Sequence, residues 1–177
     1  MKISILNGSP RLKGNTSTIV EQLSNGIDQN KHEVSSINVT KKKVAGCTAC
    51  LYCRDHNGQC VHKDDTNEML ETLLDSDLII FASPVYWWGI SAQLKQVVDK
   101  FYANMEGMKN KKYGIVSVGG ANLNNIQYEL ISKQFQSIAG FLSWENILDE
   151  SESAHDENDI RNNEKTMEKY LTIGQNI

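Results

Sequence analysis

The stretch LIIFASPVYWWGIS, residues 78–91, decides how this chain folds. Its first five residues are wholly apolar, which is typical of a strand that is buried on both faces of a sheet. The remaining nine are typical of a loop, because a proline, a glycine and two serines surround three successive large aromatic side chains. A strand of this kind predicts a parallel sheet with helices packed on both sides, that is, an α/β protein.

Outward from this stretch, short apolar runs alternate with helical patterns, as a parallel sheet requires. The runs predict five strands, at residues 3–6, 33–39, 78–82, 113–118 and about 141–148. Apolar residues at helical spacing predict five helices, which include Leu23, Leu70, Val97, Ile131 and Tyr170. Because the crossovers between parallel strands are right-handed, every strand-to-helix loop should reach the same carboxyl edge of the sheet, where open α/β sheets bind ligands.

Composition limits both the architecture and the class of partner. A chain of 177 residues that is 40% hydrophobic can bury one core, so residues 1–177 are predicted to form a single domain. The formal net charge of −4 argues against nucleic-acid binding, which needs a basic face. No apolar run is long enough for a membrane span or a signal peptide, so the expected location is the cytoplasm.

The loop NGSPRLKGNTS, residues 7–17, lies between the first predicted strand and the first predicted helix. Its composition suits a phosphate, because hydroxyls, an amide and helix N-terminal N–H groups can donate to phosphate oxygens while an arginine adds a charge-assisted bond. The candidate donors are Ser9, Arg11, Asn15, Thr16 and Ser17. Thr16 or Ser17 is also expected to cap the helix. The alternative is a polar turn and helix cap with no ligand.

Two further loops reach the same predicted edge. Tyr86, Trp87 and Trp88 follow the central strand, and their faces could stack on a flat conjugated ring. The alternative is that these aromatic side chains fill the core or a subunit interface. In the loop of residues 117–125, Gly119 and Gly120 would allow a ligand to approach the backbone closely.

All four cysteines of the chain, Cys47, Cys50, Cys53 and Cys60, lie in a connection that is predicted to be an insertion at about residues 44–63. Their spacing is C-x2-C-x2-C-x6-C, and a close triplet followed by a fourth thiolate resembles the arrangement that holds cubane clusters in ferredoxins. Zinc, unliganded thiols and a disulfide remain open alternatives. The neighbouring His56 and His62 are expected to be exposed loop residues.

Together, the stretches GSPRLKGNT, PVYWWGISAQLKQVVDKFY and GCTACLYC with Cys60 resemble the NAD(P)H-dependent FMN reductase group of flavodoxin-like proteins. The cysteine pattern is similar to that of its iron-sulfur flavoprotein branch. The resemblance implies a flavodoxin-like three-layer sandwich with strand order 2-1-3-4-5, which binds FMN at its switch point. The phosphate would rest on Ser9, Arg11, Asn15, Thr16 and Ser17. The ring would rest against Pro84, Val85, Tyr86, Trp87, Trp88 and Gly89, with Gly119 and Gly120 closing one edge.

The same resemblance implies an oxidoreductase that takes a hydride from NAD(P)H and passes electrons to a small-molecule or protein acceptor. A 4Fe-4S cluster on the four cysteines would form part of that route, and no side chain is expected to act as a nucleophile. A homodimer or homotetramer is expected. The alternatives are a flavodoxin-type electron carrier that a partner protein reduces, or an FMN reductase whose cysteine loop binds zinc or is vestigial.

Overall fold

The computed structural model describes residues 1–177 and contains one sheet of five parallel strands. The strands are β1 (Lys2–Asn7), β2 (Glu33–Asn38), β3 (Leu78–Pro84), β4 (Lys112–Gly119) and β5 (Glu145–Ser153). Their order across the sheet is β2-β1-β3-β4-β5, so β3 is central. This confirms the predicted flavodoxin-like order, and it places every strand-to-helix loop at one edge of the sheet.

Six α-helices connect and flank the strands: α1 (Asn15–Gly26), α2 (Tyr52–Asp55), α3 (Thr66–Leu74), α4 (Ala92–Asp99), α5 (Ile126–Leu142) and α6 (Glu164–Gln175). Two 3₁₀ helices, Val39–Lys41 and Lys100–Asn104, follow β2 and α4. Only α2, a single turn within the cysteine segment, has no counterpart among the predicted helices. No helix has the length and apolar character that crossing a membrane requires.

Strand β3 is buried on both faces, as its apolar run predicts. Ile79 and Phe81 point into a core that α3, α4 and α5 cover, whereas Ile80 and Ala82 point into a second core beneath α1 and α6. All four side chains have 0% exposure. The two cores make the three layers of the sandwich, because each face of the sheet must be covered by apolar helix surface.

The prediction of the fifth strand at about residues 141–148 was wrong in its position. Residues 141 and 142 instead complete α5, which ends where Ser143 adopts a left-handed conformation with φ 56° and the Trp144 amide bonds to the Ala139 carbonyl. Strand β5 lies at the sheet edge, and Leu148 is its only fully buried residue. A polar edge strand carries little alternation of apolar residues, so the sequence signal favoured the apolar end of the preceding helix.

Candidate functional site

Three loops meet at the carboxyl edge of the sheet, after β1, β3 and β4. The Gly8 amide donates to the Ala82 carbonyl at 2.8 Å, which joins the first loop to the end of β3. The Val85 amide donates to the Val118 carbonyl at 2.7 Å, which joins the second loop to the end of β4. A single ligand at this edge could therefore contact all three loops.

Helix α1 begins without a side-chain cap. Its N-cap residue is Gly14, so the predicted capping by Thr16 or Ser17 was wrong, and both residues lie inside the first turn. The backbone N–H groups of Asn15, Thr16 and Ser17 have no acceptor within the chain. Unpaired N–H groups and the positive end of the helix dipole form a site that favours an anion such as a phosphate.

The hydroxyl groups of the first loop differ in what they bind. The Ser9 and Ser17 hydroxyls donate to the Arg11 carbonyl at 3.3 and 2.7 Å, and the Ser17 hydroxyl also accepts a hydrogen bond from the side-chain Nδ2 of Asn7 at 2.9 Å. These two serines therefore hold the loop in shape. The Thr16 side chain is only 3% exposed, yet its hydroxyl has no hydrogen-bond partner in the chain. Thr16 is thus the hydroxyl of the set that is free to bind a ligand.

Asn15 connects the first loop to a distant segment. Its side-chain amide donates to the Asp156 carbonyl at 2.7 Å, and its oxygen accepts from the Ile160 amide at 3.0 Å. This segment, which contains residues 156 and 160, connects the end of β5 to the start of α6. The Arg11 side chain remains exposed in the same loop.

The aromatic loop after β3 is a tight two-residue turn. Tyr86 and Gly89 exchange two backbone hydrogen bonds, at 2.9 and 3.1 Å, and enclose Trp87 and Trp88. Both tryptophans have positive φ, 49° and 61°, which a turn of type I′ demands and which large side chains adopt at a cost of about 1–2 kcal/mol each. Trp87 is 92% exposed, so it does not fill the core. Strain of this kind is typical of functional loops.

The start of the aromatic loop is less accessible than the turn itself. Pro84 is the last residue of β3 and pairs with Val118 of β4, and Val85 is half-buried against the core beneath α5. Tyr86 is 45% exposed. The part of this loop that a ring could contact therefore lies from Tyr86 to Gly89, with Pro84 and Val85 supporting it from below.

The two glycines after β4 have different roles. A Cβ on Gly119 would lie 2.7 Å from Gln127 Nε2, so this glycine is needed for packing against the start of α5. Gly120 is exposed, and a Cβ there would lie 3.4 Å from His155 Nδ1. Sequence reasoning missed both Gln127, whose buried amide nitrogen has no partner, and His155. Neither carried a local pattern, since only the fold brings them beside these glycines.

The four cysteines line one small, mainly apolar cavity between the β2–α3 connection and the 3₁₀ helix that begins at Lys100. Cys47 and Cys50 are exposed, Cys53 and Cys60 are half-buried, and all four are free thiols. No group of three or more histidine, cysteine and carboxylate side chains is arranged so that it could hold a metal ion. The sequence segment thus converges on one cavity but does not form a site for a single ion.

The backbone around this cavity has an unusual conformation. Ala49 and Leu51 have positive φ, 53° and 62°, although neither is glycine. The amides of residues 46–53 have no acceptor within the chain. Left-handed residues interspersed in a loop can turn successive N–H groups toward one side, which is how many anion and iron-sulfur sites are formed. The unpaired backbone N–H groups, together with the four thiols, therefore fit a ligand whose sulfur atoms carry negative charge.

The histidines beside the cysteines differ from expectation in one case. The His56 ring is exposed and stacks on Tyr52 at 3.5 Å between centroids, as a loop histidine can. His62, in contrast, lines the cysteine cavity, and its Nε2 is buried without a partner. The prediction that His62 is an exposed loop residue was therefore wrong, because the neighbouring segments fold over it.

Two curated proteins are similar to this chain over about two-thirds of its length. An iron-sulfur flavoprotein of Methanocaldococcus jannaschii is 37% identical over 123 residues, which cover 68% of this chain and 63% of that protein. An iron-sulfur flavoprotein of Archaeoglobus fulgidus is 33% identical over 120 residues, which cover 67% of this chain and 54% of that protein. The chain thus spans less than two-thirds of the length of these relatives.

Solved structures with low identity share the fold. A protein of Streptococcus mutans matches with a TM-score of 0.81 at 18% identity, covering 100% of both chains. An NAD(P)H:quinone oxidoreductase from Methanothermobacter marburgensis matches with a TM-score of 0.74 at 16% identity, covering 99% of this chain and 95% of that one. A family model for NADPH-dependent FMN reductases matches residues 1–142. With the relatives above, this match shows that the chain belongs to the NADPH-dependent FMN reductase family of oxidoreductases.

Proposed function

We propose that the chain is an FMN-dependent oxidoreductase that takes a hydride from NAD(P)H and passes electrons to an acceptor. When bound, FMN supplies the capacity to accept two electrons together and to release them singly. The observation that carries the proposal is the uncapped start of α1, where free amides and the free Thr16 hydroxyl lie at the ligand-binding edge of the sheet. Family membership supports the FMN phosphate as the anion that binds there.

The chain's own residues would divide the binding between phosphate and ring. The Asn15, Thr16 and Ser17 amides and the Thr16 hydroxyl would donate to the phosphate, and Arg11 would add a charge-assisted bond. Ser9 and Ser17 would keep the loop open through their bonds to the Arg11 carbonyl. The ring would lie against the turn from Tyr86 to Gly89 above Pro84 and Val85, with Gly119 and Gly120 at its other edge. Trp87 and Trp88 would shape the face where donor or acceptor stacks.

Two threonines in the first turn of α1, Thr16 and Thr18, allow this assignment to be tested. We expect Thr16→Val to weaken FMN binding by about tenfold, since it removes a hydroxyl that has no partner in the free chain. Thr18→Val is the matched control, because the Thr18 hydroxyl donates to the Gly14 carbonyl and accepts from Arg161, both at 3.2 Å. It should lower the free energy of unfolding by about 1 kcal/mol and leave FMN affinity unchanged. Fluorescence titration with FMN and urea unfolding measure the two effects, and equal FMN affinities in both variants would contradict the assignment.

We also propose that Cys47, Cys50, Cys53 and Cys60 hold a 4Fe-4S cluster. Support comes from the all-thiol donor set, the shared cavity, the unpaired amides of residues 46–53 and the names of the relatives. When bound, such a cluster transfers single electrons. The zinc alternative has less support, because structural zinc normally draws on two separated cysteine pairs, and Cys53 and Cys60, which have six residues between them, fit a second pair poorly.

One anaerobic preparation tests the function and its alternatives. FMN, iron, sulfide and zinc are measured on the same sample, and oxidation of NADPH and NADH is then followed with a quinone or ferricyanide as acceptor. We expect stoichiometric FMN, iron with sulfide, and turnover with at least one nicotinamide. If FMN-loaded protein oxidises neither nicotinamide but is reduced rapidly by a ferredoxin, the chain is an electron carrier and not a reductase. If the sample contains zinc and no sulfide, the cysteines bind zinc and not an iron-sulfur cluster.

We further propose a homodimer or homotetramer located in the cytoplasm. Leu123, Ile126 and Leu130, just before and within the first turns of α5, are 56%, 50% and 46% exposed, and burial against a second copy would remove these apolar side chains from water. The four free thiols agree with a reducing compartment.

A further inference from the structure

A lysine is buried against the cysteine cavity. Lys100 opens the 3₁₀ helix that follows α4, and it is only 4% exposed. Its Nζ lies 3.7 Å from Cys60 Sγ, and this sulfur is its only hydrogen-bond partner in the chain. A buried ammonium group is costly unless an opposite charge and hydrogen-bond acceptors surround it. The position therefore indicates that an anionic group belongs beside Lys100.

The nearby carboxylate does not meet this need. Asp64 accepts hydrogen bonds from the amides of Ala45 and Thr66, at 2.8 and 2.9 Å, and forms no ion pair with Lys100. Burial tends to raise the pKa of Asp64, but hydrogen bonds from Thr66 and Ala45 and the charge of Lys100 outweigh it and lower the pKa. Asp64 is thus ionised and already hydrogen-bonded, while two of the three N–H groups of the Lys100 ammonium have no acceptor.

A second polar group with unused bonding capacity lines the same cavity. The Nε2 atom of His62 is buried and has no partner, although the wall around it is mainly apolar. Lys100 and His62 therefore both have unused hydrogen-bonding capacity where the four cysteines meet. Two such groups in one cavity point to a ligand that accepts hydrogen bonds and carries negative charge.

We propose that Lys100 is the buried counter-charge of the iron-sulfur group on the four cysteines, a positioning residue that holds Cys60 and raises the group's reduction potential. This inference rests on the proposed cluster. An added electron makes the thiolate-bound group more negative, and a fixed positive charge in a poorly solvated cavity favours that state. Hydrogen bonds to ligand sulfur act in the same direction.

The test is a redox titration of anaerobically reconstituted protein, followed by electron paramagnetic resonance. We expect Lys100→Met to shift the cluster midpoint potential to a more negative value, while Lys100→Arg, which keeps the charge, stays close to wild type. Lys133→Met is the control, since it removes an equal charge from the exposed surface of α5. The FMN potential, read in the same titration, should change little in any variant.

Each outcome decides a separate point. If Lys100→Met keeps its full iron content and its cluster has the same midpoint potential as that of Lys133→Met, the counter-charge inference is wrong but the cluster proposal stands. If Lys100→Met loses its iron, the result for Lys100→Arg decides. Retention of iron in Lys100→Arg, at the wild-type midpoint potential, supports the counter-charge role. Loss of iron in both variants overturns that role. Wild-type protein that takes up neither iron nor sulfide overturns the cluster proposal and this inference together, and it leaves the FMN assignment standing.

Discussion

Replacement of Trp87 and Trp88 by Asn and Gly is expected to stabilise the FMN-free protein and to impair its activity. Both tryptophans occupy the left-handed region, where Asn-Gly is the preferred pair of a type I′ turn. Relief of this strain should raise the free energy of unfolding by about 1–3 kcal/mol, because Trp87 loses little packing at 92% exposure. NAD(P)H oxidation should fall by about tenfold or more, since the stacking surface is lost.

Urea unfolding of the FMN-free protein and steady-state kinetics measure these two effects. Phe141→Asn provides the control, because Phe141 is 67% exposed on a helix away from the turn and should change neither quantity greatly. A double variant that is less stable than wild type would contradict the expectation. It would indicate that the tryptophans are buried against a second copy of the chain.

A large loss of stability is expected when either of two facing glycines becomes alanine. A Cβ on Gly26 of α1 would lie 2.1 Å from the Leu171 carbonyl, and a Cβ on Gly174 of α6 would lie 2.3 Å from the Leu23 carbonyl. Backbone atoms cannot yield as flexible side chains do, so the two helices must separate. Each substitution should lower the free energy of unfolding by about 2–3 kcal/mol.

Gly140 offers a matched control within a helix. It lies near the end of α5, and a Cβ there would meet nothing within 4 Å. Gly140→Ala should therefore be neutral or should stabilise the protein by up to about 1 kcal/mol. The denaturant midpoint of unfolding is measured for all three variants. Equal midpoints for Gly26→Ala and Gly140→Ala would show that α1 and α6 do not pack closely in solution.

Much of the fold was predictable because local periodicity carries it. The apolar run of β3 predicted a central strand, and the helical stripes placed the helices that cover it. Prediction failed where that signal was weak: the polar edge strand β5 was displaced into the end of α5, and the single turn of α2 is too short to show a period.

For the candidate site, the positions of the loops were predictable from the sequence, but the roles of individual residues were not. Loop composition located the phosphate loop, the aromatic turn and the cysteine segment, since parallel strands bring their carboxyl ends to one edge. Composition could not rank the donors within a loop. Thr16 is free, whereas Ser9 and Ser17 hold the loop and the Asn15 side chain binds residues 156 and 160.

By itself, therefore, the sequence determined the parallel sheet and the loops that can bind a ligand, because these follow from short-range patterns and the handedness of crossovers. The strand order was predicted only through the resemblance to a family. Only the tertiary structure decided which polar groups have no partner. It also placed Lys100 beside Cys60, 40 positions away, and His155 beside Gly120. Hydrogen bonds and buried charges depend on neighbours that are distant in sequence, so no local pattern records them.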